Sequence, residues 1–217
     1  MNFPLDHSEQ MKQAARFLME GDDFLVVSHV HPDGDAASST VAVGLMLSSL
    51  NKRYTLMNAE QIPRRFSYLP GYSMIYNYSE EAPPKKFKTI ISVDCADFSR
   101  MGNVVELFEE GFTLLNIDHH PTNDFFGQVN LVKPDAAATV EVLHDLIEEM
   151  RIPWTEDLAQ CIYSGLLTDT GGFRYANTTP RVMNIASKLL SLGVNGQKLA
   201  EHLLEKVTYA HILLLQR

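Results

Sequence analysis

The sequence predicts an α/β fold: a mostly parallel, Rossmann-like sheet with helices on both faces and a metal site at the carboxyl ends of its strands. Three observations carry this. Apolar runs of strand length, Phe24–Val27, Thr89–Val93 and Phe112–Ile117, alternate with stretches of helical periodicity or loop. Each run ends abruptly in ligating side chains, in the segments SHVHPDGD, VDCAD and NIDHHP. Strands joined by helical crossovers run parallel, so the three ends share one edge of the sheet, where open α/β sheets bind ligands.

Taken in order, Ser8–Glu20 reads as an opening helix, with Met11, Ala14, Ala15, Leu18 and Met19 along one side and Gly21 as its stop. His7 reads as a solvated residue ahead of it. After the first strand, Ala36–Leu50 is a helix whose small residues allow close packing on a sheet, and Tyr54–Asn58 is a short strand. Residues Ala59–Pro84 are looser, punctuated by Pro63, Pro70-Gly71 and Pro83-Pro84. The basic pairs Arg64-Arg65 and Lys85-Lys86 read as solvated faces, with a phosphate contact as the rarer alternative. Thr89–Val93 is the second strong strand, Asn103–Glu110 an amphipathic helix closed by Gly111, and Asp124–Val132 a connecting segment after the third strand.

Ala136–Met150 is a helix with Val140, Leu143, Leu146 and Ile147 inward and His144 on the polar side. Glu156–Thr168 is another, burying Leu158, Ile162, Leu166 and Leu167, and it leads into Asp169-Thr170-Gly171-Gly172. An Asp beside paired glycines allows the backbone to approach a ligand closely. Thr179 and Pro180 supply the N-cap and first position of a helix ending at Gly193. A last helix starts near Val194 or Gly196 and runs into Leu213-Leu214-Leu215 with no cap.

Composition narrows the function. The chain has 217 residues, 45% hydrophobic and 21% charged, which is ordinary for a globular protein able to bury a sizeable core. A net charge of −9 argues against non-specific binding of duplex DNA or an anionic membrane. Bound metal ions would invert the local field, so a phosphate-rich substrate remains compatible. Two cysteines, Cys95 and Cys161, make no disulfide framework, and no signal peptide or long apolar segment is present. A cytoplasmic location is the expectation.

The chemistry concentrates at Phe24–Ser39, where His29, His31, Asp33 and Asp35 lie within seven residues. One Asp there would be an ordinary helix-start carboxylate. Two His and two Asp at the mouth of one buried strand are better read as a metal site. Imidazole nitrogen with carboxylate oxygen suits Mn, Fe or Zn, and the absence of nearby thiolate argues against structural zinc. No Walker loop, dinucleotide glycine fingerprint, HExxH or Gly-x-Ser-x-Gly elbow occurs.

His29-x-x-x-Asp33-x-Asp35, the strand-end Asp94, Asp118-His119-His120 and Asp169 together resemble the four motifs of the DHH phosphoesterases. That superfamily includes RecJ-type exonucleases, family II inorganic pyrophosphatases, exopolyphosphatases, and nanoRNase-type oligoribonucleases that also dephosphorylate 3′-phosphoadenosine 5′-phosphate (pAp). The resemblance covers roughly Phe24–Arg174, and the wording HVHPDGDAASS and LLTDTGGF is most similar to the oligoribonuclease and pAp-phosphatase branch.

The resemblance implies two metal ions, usually manganese. His29, Asp33 and Asp94 would hold one; Asp35, Asp94, His119 and Asp169 would hold the other, with Asp94 bridging. Two ions about 3.5–4 Å apart need such a shared anion to offset their repulsion. Asp118 is expected to orient His119 as a supporting catalytic group. His120 is expected to contact the scissile phosphate or protonate the leaving group. His31 is assigned either a hydrogen bond behind the metals or a position facing substrate. Arg174, beside the glycine pair, is a candidate substrate contact.

The implied reaction is hydrolysis of short 5′-phosphorylated oligoribonucleotides and pAp to mononucleotides by metal-activated water. The alternatives are a phosphodiesterase of cyclic or linear dinucleotide messengers and a non-catalytic, metal-dependent nucleotide sensor. Expected partners are the oligoribonucleotides and pAp, with a homodimer as a candidate assembly and neither duplex DNA nor membrane. Full-length members carry a smaller second domain with a glycine-rich GGGH-like motif, which nothing here matches. Residues 1–195 are therefore expected to be the catalytic domain, and 196–217 the start of a linker helix towards an absent substrate-binding domain.

Overall fold

The computed structural model describes residues 6–80 and 85–205. Its centre is a six-stranded sheet of β1 (Phe24–Val27), β2 (Tyr54–Asn58), β3 (Ile75–Asn77), β4 (Phe87–Val93), β5 (Phe108–Asp118) and β6 (Val129–Val132). The strand order is β3-β2-β1-β4-β5-β6 and every pairing is parallel. Val27 stands beside both Met57 of β2 and Ser92 of β4, and Val93 beside Ile117 of β5. The chain therefore works outward from β1, then returns to its other side at β4. This reversal creates the crevice at the carboxyl edge where such sheets bind ligands.

Alternation along the strands feeds two cores. Phe24, Val26, Leu56, Ile91 and Leu115 face one side, beneath α1 (His7–Glu20), α2 (Gly34–Ser49) and α3 (Thr139–Glu149). On that side α4 (Glu156–Asp169) packs against α2 and α3, and α5 (Pro180–Ser191) against α4. Leu25, Val27, Ile90 and Leu114 face the other side, covered by the 3₁₀ segment Phe98–Leu107 through Met101, Val104 and Leu107. Helix α2 is buried almost all round, which its Ala, Ser and Gly content permits. Gly165 lets α4 approach closely: a Cβ there would lie 2.6 Å from Val140 Cγ2 and 2.7 Å from Asp35 Oδ1. The short helix α6 (Gly196–Ala200) widens into a π turn over Glu201–Glu205. The expected helix through Leu213–Leu215 lies outside the described residues. Among them, no helix is long and apolar enough to cross a membrane.

Five sequence expectations are corrected. Asn103–Glu110 is not an amphipathic α-helix: 3₁₀ turns end at Leu107, and Phe108 already begins β5. Gly102, at φ 61° and ψ −148°, breaks helical continuity, and a Cβ there would lie 2.7 Å from Val30. The loose region contains the short strand β3, and the connecting segment contains the edge strand β6. His7 lies within α1, capped by Asp6, and is half-buried; burial, then Lys133, lowers its pKa. His144 is buried against the Trp154 ring, with centroids 5.5 Å apart, rather than facing solvent.

Candidate metal centre

Beyond β1, the loop is pinned by the Val30 amide, which donates to Arg100 O at 2.7 Å. His29 Nδ1 lies 2.7 Å from the Val30 carbonyl, so a proton there leaves Nε2 free as a ligand. That Nε2 is 3.5 Å from Asp94 Oδ2 and 3.9 Å from Asp33 Oδ1. Asp33 also caps α2, accepting from Ala36 N at 3.0 Å.

Asp35, two residues further on, is wholly buried. Its carboxylate accepts from Thr139 N at 2.5 Å and Val140 N at 3.1 Å, the first amides of α3. Ala138, the cap residue of α3, has no side-chain oxygen to offer, so Asp35 serves that role from another helix.

Asp94 follows β4 in a left-handed conformation, φ 58°, with its amide donating to Ile117 O at 3.0 Å. An Asp tolerates this conformation better than most side chains. Its Oδ1 accepts from Thr139 Oγ1 at 2.8 Å and lies 3.7 Å from His119 Nε2. His119 Nε2 is also 3.5 Å from Asp169 Oδ2, at the end of α4. His119 Nδ1 is held by the Ala136 carbonyl at 3.2 Å.

Three groups of donor atoms, each within 4.8 Å of one another, result: His29, Asp33 and Asp94; Asp35, His119 and Asp169; and Asp94, His119 and His120. Most separations exceed hydrogen-bond length. They approach the edge of a coordination sphere, which for metal–ligand bonds of about 2.1 Å spans about 3.0–3.4 Å. The set of His nitrogens and carboxylate oxygens, with no thiolate, suits a divalent cation.

Electrostatics agree with that fit. Asp35 is pushed well above the ordinary carboxylate range by burial, then by Asp94, Asp169 and Asp33. Asp169 is raised to about 8, by burial and then by Asp94 and Asp33. Burial also pushes Asp94 upward, but the His29 and His119 imidazoles and Thr139 outweigh it and hold the group below its ordinary value. For His29, burial acts downward and is outweighed by Asp94, the Val30 carbonyl and Asp33, leaving it raised. Crowded carboxylates that resist ionisation alone would ionise readily beside a divalent ion.

Asp118 does not orient His119 as expected. Its Oδ1 accepts from His120 Nδ1 at 2.7 Å, and its Oδ2 from Asn123 Nδ2 at 2.7 Å. Asp118 is the last residue of β5, and His120 lies two residues beyond it in the following loop. The Asp118 hydrogen bond raises His120 to about 9, with burial acting the other way. His31 is not brought into the cluster. Its side chain is 82% exposed and pairs with Glu60 at 2.6 Å. Arg174 is exposed, donates from Nε to Gly171 O at 2.6 Å, and lines a cavity of about 270 Å³ with Asp33 and Asp169. Sequence reasoning missed Thr139 and Asn123, neither of which carries a pattern signal of its own.

The description "DHH family, N-terminal domain" matches residues 23–166. The chain is 38% identical over 198 residues to the bifunctional oligoribonuclease and PAP phosphatase NrnA of Thermus thermophilus, covering 90% of this chain and 58% of the relative. It is 26% identical over 187 residues to the protein of the same description in Bacillus subtilis, covering 85% and 58%. The chain thus spans under two thirds of the length of these relatives. An exopolyphosphatase-related protein from Bacteroides fragilis shares the fold with a TM-score of 0.85 at 24% identity, over 96% of this chain and 64% of that one. With four strand-end and helix-end motifs meeting in one acidic and imidazole cluster, and the family match extending over residues 23–166, the chain belongs to the DHH family.

Proposed function

We propose that this chain carries the catalytic centre of a two-metal phosphoesterase that cleaves short 5′-phosphorylated oligoribonucleotides and pAp to mononucleotides. The observation that carries the reading is the sharing of donors: Asp94 and His119 each belong to two of the three ligand groups. A shared carboxylate is what two closely spaced cations need. In this reading His29, Asp33 and Asp94 hold one ion, and Asp35, Asp94, His119 and Asp169 the other, with manganese as the favoured metal. Such ions supply a water acidic enough to be a nucleophile at neutral pH, and a clamp on phosphoryl oxygens.

The chain's own residues do the remaining work. The Val30 and Ala136 carbonyls fix the two imidazoles so that Nε2 faces inward. Thr139 and the α3 amides hold Asp94 and Asp35 in place. His120, kept protonated by Asp118, stands 3.8 Å from Asp94 and beside the cluster, suited to donate a proton to the leaving oxygen. The substrate class rests on the two NrnA-described relatives, which match the chain over most of its length. Their greater length is in keeping with residues 1–195 as the catalytic domain and with 196 onward leading to a substrate-binding region. A cytoplasmic site of action accompanies this reading.

Products formed from a labelled 5′-phosphorylated dinucleotide, pAp and pyrophosphate, with manganese present, test it. Mononucleotides from the first two and no reaction with the third are expected. Pyrophosphate as the preferred substrate, or no hydrolysis of any, would sink the proposal.

A further inference from the structure

The cavity beside the metal cluster is lined by groups of opposite charge. Asp33 and Asp169, both in the ligand groups, line it together with Arg65 and Arg174. Tyr175, 61% exposed, lines it too, and its volume is about 270 Å³. Elsewhere Arg53 pairs with Asp22, and Arg181 with Glu141, at 3.0 and 2.8 Å. Among the described residues neither Arg65 nor Arg174 pairs with an acid, so other contacts hold the two guanidinium groups in place.

The local sequence shows how. Pro63 leads into the 3₁₀ turn Arg64–Phe66, whose Phe66 is buried as an anchor, leaving Arg65 exposed. The Arg65 guanidinium lies 4.7 Å from the Phe66 ring centroid, which restrains the side chain before any ligand arrives. Arg174 is tied to the Gly171 carbonyl. Gly171 takes φ 58°, and a Cβ there would lie 2.3 Å from the Tyr175 ring, so the turn that places both groups requires glycine.

Resting on the phosphoesterase reading, we infer that this cavity is a second phosphate subsite, in which Arg65 and Arg174 clamp the non-scissile phosphate of a nucleotide whose scissile phosphate lies on the metal cluster. Guanidinium groups bind phosphate through paired charge-assisted hydrogen bonds, and the Asp33 and Asp169 carboxylates are neutralised only when cations are bound. Tyr175 offers an aromatic face to the adjacent base. The preferred substrate is therefore a nucleotide carrying two phosphate groups across one sugar, a feature common to pAp and a 5′-phosphorylated dinucleotide.

Equilibrium binding of AMP and of adenosine, with manganese present, reads the subsite without chemistry. The intact chain should bind AMP about 10- to 100-fold more tightly than adenosine, the range for hydrogen bonds to a charged group. Arg65→Ala should remove most of that ratio. Arg65→Lys should restore part of it, since lysine keeps the charge but not the fork. Equal affinities in the intact chain, or an unchanged ratio in Arg65→Ala, would overturn the subsite. Hydrolysis of pAp by the intact chain is followed in parallel. Equal AMP and adenosine affinities in the intact chain, or a ratio unchanged in Arg65→Ala, with pAp hydrolysed by the intact chain, condemn the subsite alone. A binding ratio that responds to Arg65 without hydrolysis supports the subsite and condemns the proposed reaction instead.

Discussion

His120 Nδ1 lies 2.7 Å from Asp118 Oδ1, while the neighbouring His119 turns its Nδ1 to the Ala136 carbonyl instead. Two adjacent imidazoles are thus held by different acceptors: one by a buried carboxylate, the other by a neutral backbone oxygen. The first favours a protonated ring, whereas a proton on His119 Nδ1 directed at the carbonyl leaves Nε2 free, which separates proton donor from metal ligand.

That separation predicts different losses. His120→Ala should lower kcat by about 10²–10⁴-fold while manganese affinity stays near that of the intact chain. His119→Ala should weaken manganese binding first. Asp118→Asn should cost about 10–100-fold in kcat, the usual effect of removing a group that orients a functional histidine. Calorimetric metal titration beside steady-state kinetics checks all three. Equal metal loss in the His119 and His120 variants would contradict the division of roles.

Asp94 should be the least replaceable ligand, because it stands in two donor groups and accepts from Thr139. Asp94→Asn preserves shape and removes the charge. It should reduce the manganese stoichiometry and lower activity by more than the roughly 10–100-fold of a supporting residue. Normal binding of two ions with an undiminished rate would remove Asp94 from the centre.

Much of this centre is legible in the sequence because its donors sit where strands end, and parallel strands leave their ends on one edge. Val27, Val93 and Asp118 terminate three neighbouring strands, and the residues after them supply His29, Asp94 and His119. Thr139 is not legible. Its hydroxyl reaches Asp94 only because α3 begins against the sheet, a juxtaposition across 45 residues that no local pattern encodes. The Asn103–Glu110 pattern misled for a different reason. Val104 and Leu107, three residues apart, suit a 3₁₀ turn lying flat on the sheet as well as they suit an α-helix. His31 misled through proximity: its left-handed backbone, φ 54°, accompanies a side chain turned to Glu60, away from His29 and Asp33.

Acid should weaken the join between α3 and α5 through Asp145. Burial raises the Asp145 pKa, but His144, Lys133 and Arg181 outweigh it and hold the group below its ordinary value. A depressed carboxylate contributes stability that is present above its unfolded pKa and lost as pH falls through the folded one. Asp145→Asn should therefore be less stable than the intact chain at about pH 7, by an amount on the order of 1 kcal/mol. The difference should shrink as pH falls below the ordinary carboxylate range. Denaturant unfolding of both chains across that window measures it; a difference that grows on acidification would reverse the assigned sign.

Gly165 links packing to the metal centre. Its missing side chain is what allows α4 to lie against Val140 and Asp35, and Asp35 in turn holds the first amides of α3. Gly165→Ala gains a little helix propensity, up to about 1 kcal/mol. It also forces a methyl group within 2.6–2.7 Å of both neighbours, neither of which has free space to move into. Overpacking of this kind costs about 1–3 kcal/mol, so the net effect should be destabilising. Because the displaced atom is a carboxylate oxygen in a ligand group, manganese affinity should fall together with stability. Gly44 provides the comparison: a Cβ there would lie 3.0 Å from Leu56 and in no ligand group. Gly44→Ala should therefore alter stability while leaving metal affinity near that of the intact chain. Unfolding curves and manganese titrations on both variants decide it: a Gly165→Ala chain that binds manganese as tightly as Gly44→Ala would uncouple the helix packing from the centre.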